Sequence, residues 1–354
     1  MSGKRRAVAL AKGVGALAAT AAVAGLAYQT IATARDARRY PAPGKLVDIG
    51  GHRLHLTCAG AGCPAVVLDA GLAGFSLDWG LVTPEVAQFT TVCAYDRAGY
   101  GWSDLGPLPR ASSRIAAELH ELLHRAGVEP PYVLVGHSFG GFNVRLFADY
   151  YPDEVAGMVL VDVSHEDFND RLPKGLRAGY DRYERAEVPL LRLGGMLARF
   201  GLVRVAVERG WLSLLDAFNA LPPRQRAMAR ALRYHPRFFA TSSAEDVTFR
   251  ESGAQARHKG GIGDRPLVVL TGTREDDVIA NPLPYVKFST FGEAVRAMTA
   301  VKVALHAELA RTLSTNGTHI VTAKSGHLIQ LSEPALVVSA IRQVVEAAQA
   351  GVSR

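Results

Sequence analysis

Tyr132-Val133-Leu134-Val135-Gly136-His137-Ser138-Phe139-Gly140-Gly141 decides how this chain is read. An apolar run breaks into Gly-x-Ser-x-Gly, and a helical pattern (Phe142, Val144, Leu146, Phe147) starts directly behind it. A strand that turns this sharply into a helix leaves room only for glycine two residues either side of the serine, and it lifts the hydroxyl above the sheet edge. The context separates the motif from a chance match in a chain with 35 glycines, and Ser138 is predicted to be a nucleophile.

A serine hydroxyl is a weak nucleophile and needs a base. His327, in Lys324-Ser325-Gly326-His327-Leu328, follows the last strand pattern and precedes the last helix, so a parallel sheet brings it to the same edge as Ser138. Other histidines have plainer readings: His52 and His55 fall in the first hairpin, and His165 and His258 flank the insertion at 164–265. The acid that orients the base is expected after the strand Pro266–Thr271, where Gly272-Thr273-Arg274-Glu275-Asp276-Asp277 supplies three carboxylates. Asp276 is taken first, with Asp277 as an alternative and Glu275 third. Asp162, closing the strand after the nucleophile unit, is the competitor from outside that loop. An oxyanion hole needs two backbone N–H groups. Phe139, directly after the nucleophile, supplies one, and the loop Asp69-Ala70-Gly71-Leu72-Ala73-Gly74 supplies the other, at Leu72.

Outward from these residues, short apolar runs alternate with amphipathic stretches. Strands are predicted at 46–49, 53–58, 65–69, 91–95, 132–136, 157–163, 266–271 and 319–323, and helices at 112–126, 141–151, 291–313 and 334–348. The later strands are continuous Val/Leu runs, as a parallel sheet buried on both faces requires. Gly50-Gly51 joins the first two as a hairpin. Residues 164–265 contain no convincing strand but several helical stretches, among them 189–207 and 223–234, and an insertion of that length reads as a helical cap. The expected organisation is therefore an N-terminal segment (1–40), a core (45–163 and 266–350) and a cap (164–265).

These pieces resemble the α/β-hydrolase fold superfamily, in its cap-bearing esterase, lipase and haloperoxidase-like branch. The landmarks are Gly136-His137-Ser138-Phe139-Gly140, Tyr95-Asp96-Arg97-Ala98-Gly99-Tyr100-Gly101-Trp102-Ser103 and Ser325-Gly326-His327. The resemblance spans Lys45 to about Ala348 and implies an α/β fold with eight mostly parallel strands flanked by helices. It also implies carboxylic ester hydrolysis through an acyl-enzyme, without metal or other cofactor. Ala70-Gly71 replaces the family's usual His-Gly, which removes a side chain but not the N–H. A serine nucleophile argues against the dehalogenase and epoxide hydrolase relatives, which use aspartate.

Composition bounds the partners. The net charge of +7 is concentrated in residues 1–40, where Lys4, Arg5, Arg6, Lys12, Arg35, Arg38 and Arg39 face only Asp36. The rest is nearly balanced, and no nucleic-acid motif is present. Between those basic flanks Gly13 to Ala34 carries no charge, long enough as a helix to cross a hydrocarbon core of about 30 Å. It reads as a membrane anchor, as a signal cleaved near Ala32-Thr33-Ala34, or as a soluble Ala-rich helix. Either of the first two puts the catalytic part outside the cytoplasm, anchored or secreted. Residues 164–265 hold 18 Lys/Arg against 12 Asp/Glu, with Arg192, Arg199, Arg204 and Arg209 set among apolar residues. That pattern suits packed helices with solvated arginine faces, or a surface lying on anionic lipid. Cys58, Cys63 and Cys93 match no zinc-ligand spacing and allow at most one disulfide.

A rival motif remains. His120-Glu121-Leu122-Leu123-His124 has the spacing of a zinc-protease helix. The longer form of that motif needs a third ligand where Pro130 stands, and Ile115, Leu119, Leu122 and Leu123 form an ordinary core stripe. A slow or non-enzymatic ligand receptor on the same fold is the third reading. The apolar residues Trp211, Phe218, Phe238 and Phe239 suggest a small ester or lipid-like substrate with an apolar group.

Overall fold

The computed structural model describes residues 2–212, 216–257, 261–274 and 291–352. Its centre is an eight-stranded sheet: β1 (Lys45–Asp48), β2 (Arg53–Ala59), β3 (Ala65–Asp69), β4 (Val92–Asp96), β5 (Tyr132–His137), β6 (Val155–Val161), β7 (Leu267–Gly272) and β8 (Gly317–Thr322). The spatial order is β1-β2-β4-β3-β5-β6-β7-β8, and only β2 runs antiparallel to its neighbours. All eight strands were legible in the sequence to within a few residues.

Thirteen helices are described: α1 (Ser2–Arg39), α2 (Thr83–Val86), α3 (Ser112–Ala126), α4 (Gly140–Tyr150), α5 (Phe168–Arg171), α6 (Lys174–Arg199), α7 (Leu202–Glu208), α8 (Pro223–Arg233), α9 (Pro236–Val247), α10 (Phe249–Ala256), α11 (Phe291–Leu313), α12 (Ile329–Ser332) and α13 (Pro334–Val352). The period of two along the strands sorts the core into two layers. Val67, Leu134 and Val269 pack with Leu119, Leu122, Phe147 and Leu309 from α3, α4 and α11. Val66, Val133, Val135, Val161 and Leu270 pack with Val337, Ile341 and Val344 of α13. Buried on both faces, the central strands have no use for polar alternation.

Helices α5 to α10 all lie between β6 and β7, in the predicted insertion, where no strand occurs among the described residues. The predicted helix 189–207 is instead two: α6 runs through Pro189, and Gly201, at φ +73°, separates it from α7. Proline deletes one backbone donor. The helix continues because α9 packs along it, with the Phe239 side chain seated on Gly194 and Gly195: a β-carbon would meet its ring at 2.8 Å on the first and its Cβ at 3.1 Å on the second.

Helix α1 is long and apolar enough to cross a membrane. Its C-terminal part is docked rather than free. Gln29 is buried, donates to Tyr234 O at 3.0 Å and accepts from Arg204 Nε, while Arg204 pairs with Asp36 at 2.7 Å. On the sheet, Cys58 and Cys93 are register partners on β2 and β4 and form a disulfide; Cys63 is free and exposed.

Candidate active site

The turn after β5 has the geometry the motif predicted. Ser138 sits at φ +50°, a left-handed conformation costing an L-residue roughly 1–3 kcal/mol. The flanking glycines are required by close approach. A β-carbon on Gly136 would meet Val144 at 2.7 Å, and one on Gly140 would meet Asp69 O at 2.6 Å. The serine is half-buried at the start of α4, and Phe139 beneath it is fully buried against Phe142 and Phe249.

The ends of β6, β7 and β8 stand next in order and carry the rest of the site. His327 follows β8 with its side chain half exposed, and its Nδ1 lies 2.8 Å from Asp162 Oδ2. Asp162 ends β6 at φ +42° and is 1 % exposed. Its Oδ1 accepts from the Gly272 N–H at 2.9 Å, and Oδ2 also accepts from Lys302 Nζ at 2.9 Å. Burial alone would raise its pKa, but Lys302 and His327 more than reverse that and hold the carboxyl below the usual carboxylate range. Asp276 and Asp277, with Glu275, lie outside the described residues. Of the candidate acids, Asp162 is the one that meets the imidazole among the described residues, and the first choice from sequence, Asp276, lies outside them. The reason is tertiary: β6 lies between β5 and β7, and the Gly272 amide turns Asp162 towards the His327 loop. Among the described residues no hydrogen bond joins Ser138 Oγ to His327; such bonds are often long before substrate binds.

Three histidines brace this arrangement without having been predicted. His137, next to the serine, donates through Nε2 to His327 O at 3.0 Å, and its ring lies 4.7 Å from that of His327. Burial and the neighbouring His327 pull its pKa down to about 3, so it is neutral. His306 on α11 donates from Nε2 to Val163 O and accepts from Thr271 Oγ1 through Nδ1, and His319 donates to the same hydroxyl. Burial lowers the pKa of His306 to about 4, which keeps this chain behind Asp162 uncharged.

The loop after β3 faces the serine. A β-carbon on Gly71 would stand 3.0 Å from Ser138 Cβ, so Leu72 follows at the edge of the site. Arg97 holds the loop from behind: it donates to the carbonyls of Ala70 and Gly71 at 2.6 and 2.8 Å and pairs with Asp69 at 2.7 Å. The Ala73 and Gly74 amides are engaged as well, by Tyr100 Oη at 3.2 Å and Gly71 O at 2.9 Å. Arg97 also forks onto Glu245 of α9, which accepts from Tyr100 as well. Arg97 and Glu245 are both buried, and their 148-residue separation hid the pair from sequence reasoning. Phe218 and Phe238 pack with Leu328 beside His327, whereas Trp211 is 70 % exposed.

His120 and His124 are not drawn together with Glu121. His120 Nε2 meets Glu154 at 3.0 Å with its ring stacked on Tyr151, Glu121 pairs with Arg125, and His124 is exposed. Among the described residues no group of three His, Cys, Asp or Glu side chains is arranged to hold a metal.

The sequence profile of the alpha/beta hydrolase family matches residues 65–340. A probable transporter of Hormonema carpetanum is 33% identical over 136 residues, 36% of this chain but only 20% of its own length. An epoxide hydrolase, CorEH, superposes with a TM-score of 0.58 at 18% identity, covering 85% of this chain and 96% of its own. An esterase from Thermogutta terrifontis gives 0.54 at 20% identity, covering 86% and 98%. At these identities the two structures establish a shared fold.

Proposed function

The chain belongs to the alpha/beta hydrolase family, and on that premise we propose that it is a serine hydrolase cleaving a carboxylic ester, or a related acyl bond, of an apolar substrate. The observation that carries the reading is the Asp162–His327 hydrogen bond on the strand-end edge from which Ser138 projects in its left-handed turn. His327 Nε2 takes the Ser138 proton as Oγ attacks the carbonyl carbon, and Asp162 stabilises the imidazolium through Nδ1–H. The Leu72 and Phe139 amides receive the oxyanion. Collapse breaks the acyl–oxygen bond, with the proton passing from His327 to the leaving alcohol. Water, deprotonated by the same histidine, then releases the acid and restores Ser138. No step needs a cofactor. The helices of 164–265 act as the cap, and Glu245 joins that cap to the oxyanion loop through Arg97.

We also propose that α1 is a retained anchor, with the catalytic domain outside the cytoplasm. Cleavage near Ala34 would remove Gln29 and its two hydrogen bonds to the cap. The Cys58–Cys93 disulfide suits an oxidising compartment, and the run Lys4-Arg5-Arg6 with Lys12 suits a cytoplasmic N-terminus.

A fluorophosphonate probe tests the central reading. Stoichiometric labelling is expected at Ser138, absent in Ser138→Ala and unaffected by chelator. A folded wild-type protein that takes no label, or an ester hydrolysis that chelator abolishes, would overturn it.

A further inference from the structure

The cap meets α1 inside the apolar span. A β-carbon on Gly25 would strike Phe200 O at 2.7 Å, and one on Gly201 would strike the Tyr28 ring at 2.6 Å. Gln29 binds Tyr234 O one turn further on. All three lie in the second half of the charge-free run from Gly13 to Ala34. Gln29 is buried and bonded to the cap, and Arg204 pairs with Asp36 two turns on, so this stretch marks the level at which α1 leaves the hydrocarbon, and the cap rests on the surface of that leaflet.

A groove of about 820 Å³ between α6 and α9 begins at this junction. Its lining residues Arg199 and Pro236 lie within two positions of Phe200 and Tyr234, the residues that touch α1. Its lip carries Leu108, Val247 and Met196, exposed at 70, 60 and 51 %, an apolar display a water-facing surface does not need. Arg192, Met196 and Arg199 fall at i, i+4 and i+7 on one face of α6. Among the described residues no carboxylate pairs with either arginine.

We infer that this groove seats an anionic phospholipid of the leaflet that α1 enters, with an acyl chain along Met196, Phe239 and Val247 and the phosphate between Arg192 and Arg199. Seven helical residues place the two arginine backbones about 10.5 Å apart, within reach of one phosphodiester for side chains of that length. The lipid fits better than a soluble amphiphile because the groove's end at Arg199 and Pro236 lies beside the cap residues that touch α1. This inference rests on α1 being a retained anchor and is independent of the catalytic reading.

The test uses the full chain with Cys63→Ser and Leu108→Cys, labelled at 108 with an environment-sensitive fluorophore and reconstituted in nanodiscs. Phosphatidylcholine alone is compared with a phosphatidylcholine–phosphatidylglycerol mixture. The label should shift to the blue and be quenched by acyl-chain nitroxides, more strongly with phosphatidylglycerol. Arg192→Glu with Arg199→Glu should abolish the phosphatidylglycerol increment while leaving fluorophosphonate labelling at Ser138 intact. A label that stays water-like in both discs, or an increment unmoved by the charge reversal, overturns the groove assignment. Release of the unmodified chain from membranes by carbonate overturns the anchor itself and the inference with it.

Discussion

Asp162→Asn is the substitution on which the proposed mechanism turns. The carboxylate satisfies three donors: the Gly272 amide on Oδ1, and His327 Nδ1 and Lys302 Nζ on Oδ2. An asparagine has one acceptor oxygen and one NH2, so it cannot serve both sides. If the oxygen faces His327, the NH2 confronts the Gly272 N–H; if it faces Gly272, the NH2 confronts two donors. In either rotamer Lys302 loses its counter-ion beside the imidazole that must become positive. Loss of the acid with the triad geometry kept is associated with a fall of about 10⁴ in turnover. At about 1.4 kcal/mol per decade that is roughly 5.5 kcal/mol of transition-state stabilisation. The orphaned ammonium adds to the loss, so Asp162→Asn/Lys302→Met should recover part of it. Hydrolysis of a short-chain nitrophenyl ester near pH 7, with circular dichroism to verify folding, reads all three proteins. Asp276→Asn and Asp277→Asn are the controls, expected within about threefold of wild type because His327 already has its carboxylate. A folded Asp162→Asn within tenfold of wild type, or a collapse of activity in Asp276→Asn instead, would refute the assignment.

Burial pushes the Asp162 carboxyl up and Lys302 is the foremost charge pulling it down, so in Lys302→Met that carboxyl should protonate at higher pH. The stability it contributes is present at neutral pH and lost on acidification, and in Lys302→Met that loss should begin at higher pH than in wild type by denaturant unfolding. Lys302→Arg should keep the wild-type profile, and an unmoved profile in Lys302→Met would show that the lysine has no electrostatic hold on Asp162. Glu245→Gln leaves the buried Arg97 short of a charge partner, a change expected to cost about 3 kcal/mol in stability by denaturant unfolding. Its kcat should fall as well, because Arg97 carries the Ala70 and Gly71 carbonyls; a stable variant with wild-type kcat would contradict that role.

The sheet was legible because a strand buried on both faces declares itself as an uninterrupted apolar run, and Val133 to Val135 or Leu267 to Leu270 fit nothing else so well. Ser138 was legible because its turn is built locally, from glycines that neighbouring backbone requires. The acid was harder. Its identity depends on which carboxylate the strand order brings to His327, and the loop at 275–277 offered three plausible candidates in sequence. Asp162 had a local signal only in closing the strand next to the nucleophile unit, and that signal is shared with turn-capping aspartates. The helices of 164–265 were misjudged at Pro189 for the same kind of reason. Local propensity puts a helix start there, and packing of α9 on Gly194 and Gly195 carries α6 through it.

Helix α9 shows how one short element serves two surfaces. Phe239, Ser243 and Val247 recur at i, i+4 and i+8 and line the groove beside α1. Phe238, Ser242 and Glu245 recur at i, i+4 and i+7 on another face, where they meet Tyr100, and Glu245 also meets Arg97. The helix is therefore a single wall between the groove and the loop that faces Ser138. Its polar side is held rigidly: Glu245 and Ser242 are fully buried and hydrogen-bonded, and Arg97 fixes Glu245 and the Ala70–Gly71 carbonyls at once. Its other side ends in Val247, exposed and without a protein neighbour of its own kind over most of its surface. A helix whose inner face is pinned by a buried ion pair and whose outer face is left apolar keeps that outer face at a constant distance from the loop that faces Ser138. Whatever the groove holds, it is held in fixed register with Ser138.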